Sequence, residues 1–78
     1  MPKITVALYA GLKAHAPEGA SEFDLDIPEG SKIGDIIKLL DLPDDEVANI
    51  FVDRSLKDRE YIVKDGQRIA FFPLIAGG

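Results

Sequence analysis

A single stretch with helical periodicity, set between stretches that alternate, constrains this chain more than any other feature. Ile33, Ile36, Ile37 and Leu40 fall at spacings that put all four on one face of a helix running from Lys32 to Asp41, because residues three and four apart stack along one side. Ahead of it, Ile4, Val6 and Leu8 alternate with Lys3, Thr5 and Ala7, and Phe23, Leu25 and Ile27 alternate with Glu22, Asp24 and Asp26. Each run reads as a half-buried strand with one apolar face. An amphipathic helix hides its stripe only against a second layer, and here that layer is a sheet. In 78 residues there is room for one such domain.

The remaining segments complete the sheet. Gly11 to Pro17 is expected to form a short helical turn using Leu12 and Ala16, and Pro17, Gly19 and Ser21 mark the loop of a hairpin. Ser31 is suited to cap the helix after Pro28-Glu29-Gly30, and Pro43 is expected to stop it. Asp44-Asp45-Glu46 reads as a capped turn, and Ala48 to Asp53, with Ile50 and Val52, as a third strand. Tyr61-Ile62-Val63 reads as a short strand and Gln67 to Phe72 as the last one, around a Lys64-Asp65-Gly66 turn in which glycine accepts positive φ. The first and last strands are the most apolar and therefore central. With a helix as crossover they run parallel if adjacent. The expected class is α+β and grasp-like: a mixed sheet of four to five strands with one main helix packed on one face. Its predicted core is Ile4, Val6, Leu8, Phe23, Leu25, Ile27, Ile33, Ile36, Ile37, Leu40, Val52, Ile69 and Phe71.

Composition narrows the functional classes. The absence of cysteine removes a disulfide framework, thiolate metal sites and a cysteine nucleophile together. Nine Lys and Arg stand against 14 Asp and Glu, a net charge of −5, which argues against binding nucleic acid phosphates. Glu22 to Glu46 holds nine acids and two bases, net −7, so the rest of the chain carries +2. That stretch is expected to speed or orient association with a basic partner. No apolar run approaches the ~18 residues of a membrane span, and Met1-Pro2-Lys3-Ile4 does not begin a signal peptide. A soluble, cytoplasmic protein is expected.

Catalytic and metal sites are not expected. The one histidine, His15, has no serine, cysteine or acid spaced to form a relay. Asp24, Asp26 and Glu29 fail as a calcium loop, since Pro28 takes the fifth ligand position and Glu29 the place of the turn glycine. Asp44, Asp45 and Glu46 have capping as their ordinary role. Gly11, Gly19, Gly30 and Gly34 are too scattered for a phosphate-cradling loop.

The unusual feature is Ile69-Ala70-Phe71-Phe72-Pro73-Leu74-Ile75-Ala76-Gly77-Gly78. Pro73 is expected to break the strand ladder, which divides the chain into a domain over 1–73 and a flexible tail over 74–78 that reaches about 16 Å at ~3.3 Å per residue. Gly77 and Gly78, lacking Cβ, let the backbone enter a narrow channel and carry a terminal carboxylate to another protein's active site. Alternation that buries Phe71 turns Phe72 the other way, so Phe72, Pro73, Leu74 and Ile75 are expected to form an exposed apolar docking patch.

The run from Lys64 through Asp65-Gly66 and Phe72-Pro73 to Ala76-Gly77-Gly78, with Pro28-Glu29-Gly30 ahead of the helix, resembles the MoaD/ThiS family of ubiquitin-like sulfur carriers over the whole chain. The resemblance implies the β-grasp fold. It also implies that the Gly78 carboxylate is adenylated by an E1-like enzyme using ATP and magnesium, then converted to a thiocarboxylate with sulfur from a donor protein. The chain itself then binds no cofactor and is a cosubstrate, with Gly78 as the attachment point and Gly77 and Ala76 as its tail. In the MoaD branch the sulfur goes to the large subunit of molybdopterin synthase, in molybdenum or tungsten cofactor synthesis; in the ThiS branch it goes to thiazole synthase for thiamin. Phe71-Phe72-Pro73 and the chain length favour the MoaD branch. A ubiquitin-like modifier joined to lysines through Gly78, and a non-covalent β-grasp interaction module, are the alternatives.

Overall fold

The computed structural model describes residues 1–16 and 21–73. Strand β1 (Lys3–Leu8) leads into a 3₁₀ helix at Ala10–His15, followed by β2 (Glu22–Asp26) and the α-helix α1 (Ile33–Leu39). A 3₁₀ turn at Asp44–Glu46 precedes β3 (Val47–Val52), β4 (Ser55–Lys57) and β5 (Arg68–Pro73). The five strands form one sheet in the order β2-β1-β5-β3-β4. Among the described residues β1 and β5 run parallel, and the other three pairings are antiparallel. The most apolar strand, β5, lies at the centre of the sheet between β1 and β3, as expected.

The register sorts side chains between the two faces. Val6 lies opposite Phe23 on β2 and Ile69 on β5, and Leu8 opposite Phe71, which in turn faces Ile50 on β3. These residues point to the helix side, where Ile33, Ile36 and Ile37 close the core. Phe23, Leu25 and Leu40 are only partly buried at its margin, because β2 is an edge strand and Leu40 follows the helix. Leu12, Leu42, Val47 and Val63 are buried there as well. They sit in turns or at strand ends, where no periodicity announces them.

Both helix ends depart from expectation. The Ser31 hydroxyl donates to Pro28 O at 2.6 Å and so tightens the preceding turn, while the cap position falls to Lys32, whose backbone N–H donates to Asp35 Oδ2 at 3.0 Å. At the other end the helix finishes at Leu39, before Pro43. Asp41 adopts a left-handed φ of 56°, with Asp41 N–H donating to Lys38 O and Leu42 N–H to Ile37 O. This is a Schellman stop, sealed by burial of Leu42. Asp44 does not cap the next turn either; its carboxylate accepts from Arg59 Nε at 2.8 Å. The same guanidinium donates to Asp44 O and Val47 O, both at 2.9 Å, and so fixes the start of β3.

The expected strand at Tyr61-Ile62-Val63 reduces to an isolated bridge between Ile62 and Lys32. The fourth strand is Ser55–Lys57 instead, joined to β3 by a two-residue turn. Leu56 is its one apolar residue and is exposed, so no alternation marked it. Gly66 does hold the expected positive φ, 85°, and its N–H donates to Lys3 O at 2.8 Å. Lys32 pairs with Glu60 at 3.0 Å, and this hydrogen bond and charge hold the ammonium above the usual lysine range. Among the described residues no helix is long and apolar enough to cross a membrane.

Candidate functional site

The C-terminal end of β5 is built into the middle of the sheet. Pro73, expected to break the ladder, is itself a member of β5 and lies opposite Val47, a position a residue without an N–H takes at the end of a strand. On the other flank, Tyr9 N–H donates to Phe71 O at 3.3 Å. Two neighbouring segments therefore hold the last turn of backbone before residue 74. Leu74, Ile75, Ala76, Gly77 and Gly78 lie outside the described residues.

Phe72 faces away from α1, on the sheet side that no helix covers among the described residues. Its ring stacks on Tyr9, with centroids 4.5 Å apart and planes 3° from parallel, and meets Phe51 edge-on at 5.5 Å and 87°. Phe72 thus takes the expected side of the sheet but is half-buried because two aromatic rings close around it, and Leu74 and Ile75 of the expected patch lie outside the described residues. Tyr9 is oriented in turn by Arg68, whose Nη2 donates to the Tyr9 hydroxyl at 3.0 Å while Nε donates to Glu22 Oε2 at 2.7 Å. These bonds, to Tyr9 first and Glu22 second, raise the guanidinium pKa further above its ordinary value.

The open face is consequently an aromatic strip. It crosses from Leu56, 63% exposed, through Phe51 to Phe72 and Tyr9. Arg54, Arg68 and Ala70 join these rings around a shallow depression. Strand parity was the signal for Phe51, since it faces opposite to Ile50 and Val52. No sequence signal placed Tyr9 against Phe72, because that contact joins β1 to β5 across the chain.

The other sequence candidates are not drawn together. His15 is exposed at the end of its 3₁₀ helix. Asp24 and Asp26 lie exposed along β2, and Asp24 accepts from the Thr5 hydroxyl at 3.1 Å. No cluster of three metal-ligating side chains occurs among the described residues.

Each aromatic pair contributes about 0.5 to 1.5 kcal/mol beyond burial, and Phe72 makes two of them. Phe72→Ala is therefore expected to destabilise the domain by about 1 to 3 kcal/mol. A urea melt measures this; an unchanged midpoint would show that the stack contributes nothing.

Comparison with known proteins agrees with this architecture. No curated protein matches the chain in sequence. Among solved structures, a Pyrococcus furiosus protein provisionally named molybdopterin converting factor, subunit 1, is similar with a TM-score of 0.77 at 22% identity, covering 96% of this chain and 100% of that one. Haloferax volcanii small archaeal modifier protein 1 gives 0.77 at 16% identity, covering 96% and 100%. Caldiarchaeum subterraneum ubiquitin gives 0.62 at 17% identity, covering 99% and 98%. At such identities the likeness establishes the fold, the ubiquitin-like β-grasp. The sequence profile of the ThiS family matches residues 7–78, from the end of β1 through the helix and the other four strands to the Gly-Gly segment, and the chain belongs to that family of ubiquitin-like sulfur carriers.

Proposed function

We propose that this protein is a sulfur carrier whose reactive group is the carboxylate of Gly78. The observation that supports it most is the family match running through Gly78, joined to a central strand that ends at Pro73 with its flanks hydrogen-bonded and paired. A rigid strand end fixes where the last five residues start, and their small side chains at Ala76, Gly77 and Gly78 suit a narrow channel in a partner.

The chemistry needs a partner, since a carboxylate is a poor electrophile. In an E1-like enzyme with ATP and magnesium, a Gly78 carboxylate oxygen attacks the α-phosphorus and pyrophosphate leaves. The outer sulfur of a donor-protein persulfide then attacks the acyl carbon and AMP departs, giving an acyl disulfide; a thiol reductant cleaves its S–S bond, and a thiocarboxylate remains on Gly78. This chain supplies the carbonyl and the reach. Phe72 and Pro73, with Leu74 and Ile75 beyond them, form the surface that docks on the enzyme. Phe71-Phe72-Pro73 and the similarity to the P. furiosus protein favour the small subunit of molybdopterin synthase over a carrier for thiazole synthase. The similarity to a small archaeal modifier protein favours protein modification as the second reading, and detection of lysine conjugates through Gly78 would select it.

The test is intact mass after incubation with ATP, magnesium, the cognate adenylating enzyme and a sulfur donor. The expected result is replacement of one carboxylate oxygen by sulfur at Gly78. A chain that remains unmodified under conditions where the enzyme activates another carrier overturns the proposal. Transfer to the molybdopterin synthase large subunit or to thiazole synthase then decides the branch.

A further inference from the structure

The turn between β3 and β4 holds a residue poorly suited to its backbone. Asp53 and Arg54 both have positive φ, 48° and 74°, as a two-residue hairpin turn of this hand requires. Asp53 suits the first position and is used there: its Oδ1 accepts from Arg68 N–H, and its own N–H donates to Arg68 O, both at 3.0 Å. At the second position glycine adopts the conformation freely, while any side chain is strained. An Asp-Gly pair would serve the hairpin better than Asp-Arg.

Arg54 nevertheless occupies it, and its exposed side chain lines the depression floored by Tyr9, Phe51 and Phe72. The neighbouring Arg68 is engaged by Glu22 and Tyr9. Arg54 makes no ion pair with any described residue. At the far side of the same face stand Glu22, Asp24 and Asp26, opposite Ala7, Thr5 and Lys3. The face is therefore polarised, with carboxylates at β2, an apolar strip across the middle and one uncommitted guanidinium at the β3–β4 turn. Backbone strain kept where a better turn residue exists points to use of the side chain.

We propose that Arg54 is a docking cation for an acidic protein surface. The strip receives an apolar side chain of the partner, and the guanidinium pairs with a carboxylate beside that side chain, in the forked geometry that lysine cannot reproduce. Charge complementarity selects the occupant: beside the aromatic strip the cation left without an ion pair among the described residues is Arg54, which calls for an acid, while the carboxylates on β2, which outnumber Lys3 at that edge, repel a polyanion laid across the face. The inference deepens the carrier reading and rests on it, since it takes the adenylating enzyme as the partner.

The experiment titrates wild type, R54G, R54K and R54E into the cognate adenylating enzyme by calorimetry, with thermal melts of each variant alone. R54G is expected to melt no lower than wild type, because it relieves the turn, yet to bind about tenfold more weakly, as loss of an interfacial arginine does. R54K should fall between, and R54E should bind most weakly. Wild-type affinity should also fall with added salt more steeply than that of R54G. If wild type is adenylated and R54G binds equally well, the docking role is overturned and the carrier reading stands. If wild type neither binds nor is adenylated, the carrier reading fails and this role fails with it.

Discussion

Deleting Gly78 is expected to abolish adenylation while leaving the melting temperature unchanged. The two halves of this outcome have separate causes. Gly78 has no side chain, and the buried cluster of the described residues is built from side chains between Ile4 and Phe71, so deleting Gly78 takes no side chain out of it. The reaction, by contrast, depends on where the carboxylate lies. Removing a residue draws it back by about 3.3 to 3.6 Å, and a misplacement of 1 Å can already cost on the order of a hundredfold. Appending a residue after Gly78 should be as damaging in the other direction. ATP–pyrophosphate exchange with the adenylating enzyme reads the first half, and a thermal melt the second. Normal exchange by the deleted chain would sink the carrier mechanism, whereas substitution of His15 or Asp24 should leave exchange intact.

Phe71→Ala should bring the domain close to unfolding. Phe71 is fully buried, lies opposite Leu8 on one side and Ile50 on the other, and its carbonyl accepts from Tyr9 N–H. Truncating such a residue costs about 3 to 5 kcal/mol, the lost transfer energy plus the cavity left between strands that cannot close. A chain of 78 residues has a total stability on the order of 4 to 12 kcal/mol. The variant therefore loses from about a quarter to all of that stability, and its melting temperature falls by more than about 12 °C. Urea denaturation followed by circular dichroism gives the figure. A loss under about 1 kcal/mol would be incompatible with a buried central strand. Phe71→Leu, which keeps most of the volume, should recover much of the loss.

Much of this molecule is legible in its sequence. The alternations of β1 and β2, the helical stripe of Ile33, Ile36 and Ile37, and the apolar run of β5 specify two layers, because each pattern admits one way of hiding its apolar face. The parallel pairing of β1 with β5 follows from the helix between the strands. The Gly-Gly segment and the family it belongs to are likewise written in residue types. What the hydrophobic pattern could not supply was decided at the helix ends by hydrogen-bond geometry within a few residues. Ser31 looked like the helix cap, but its hydroxyl found the Pro28 carbonyl closer, and Asp35 served Lys32. Pro43 looked like the helix stop, yet a left-handed Asp41 ended it earlier, where burying Leu42 offset the strain.

The open face shows the same division most clearly. Alternation alone turns Phe72 away from the core, and it would leave the ring bare. Only the packed sheet brings Tyr9 over it at 4.5 Å and Phe51 against its edge at 5.5 Å, and only the β3–β4 turn carries Arg54 to the same depression. Sequence determined the direction of each side chain from its own strand, because that depends on residues two apart. The tertiary structure determined which rings and charges meet, because neighbours across a sheet are set by strand order and register, and these join residues up to 63 positions apart, from Tyr9 to Phe72.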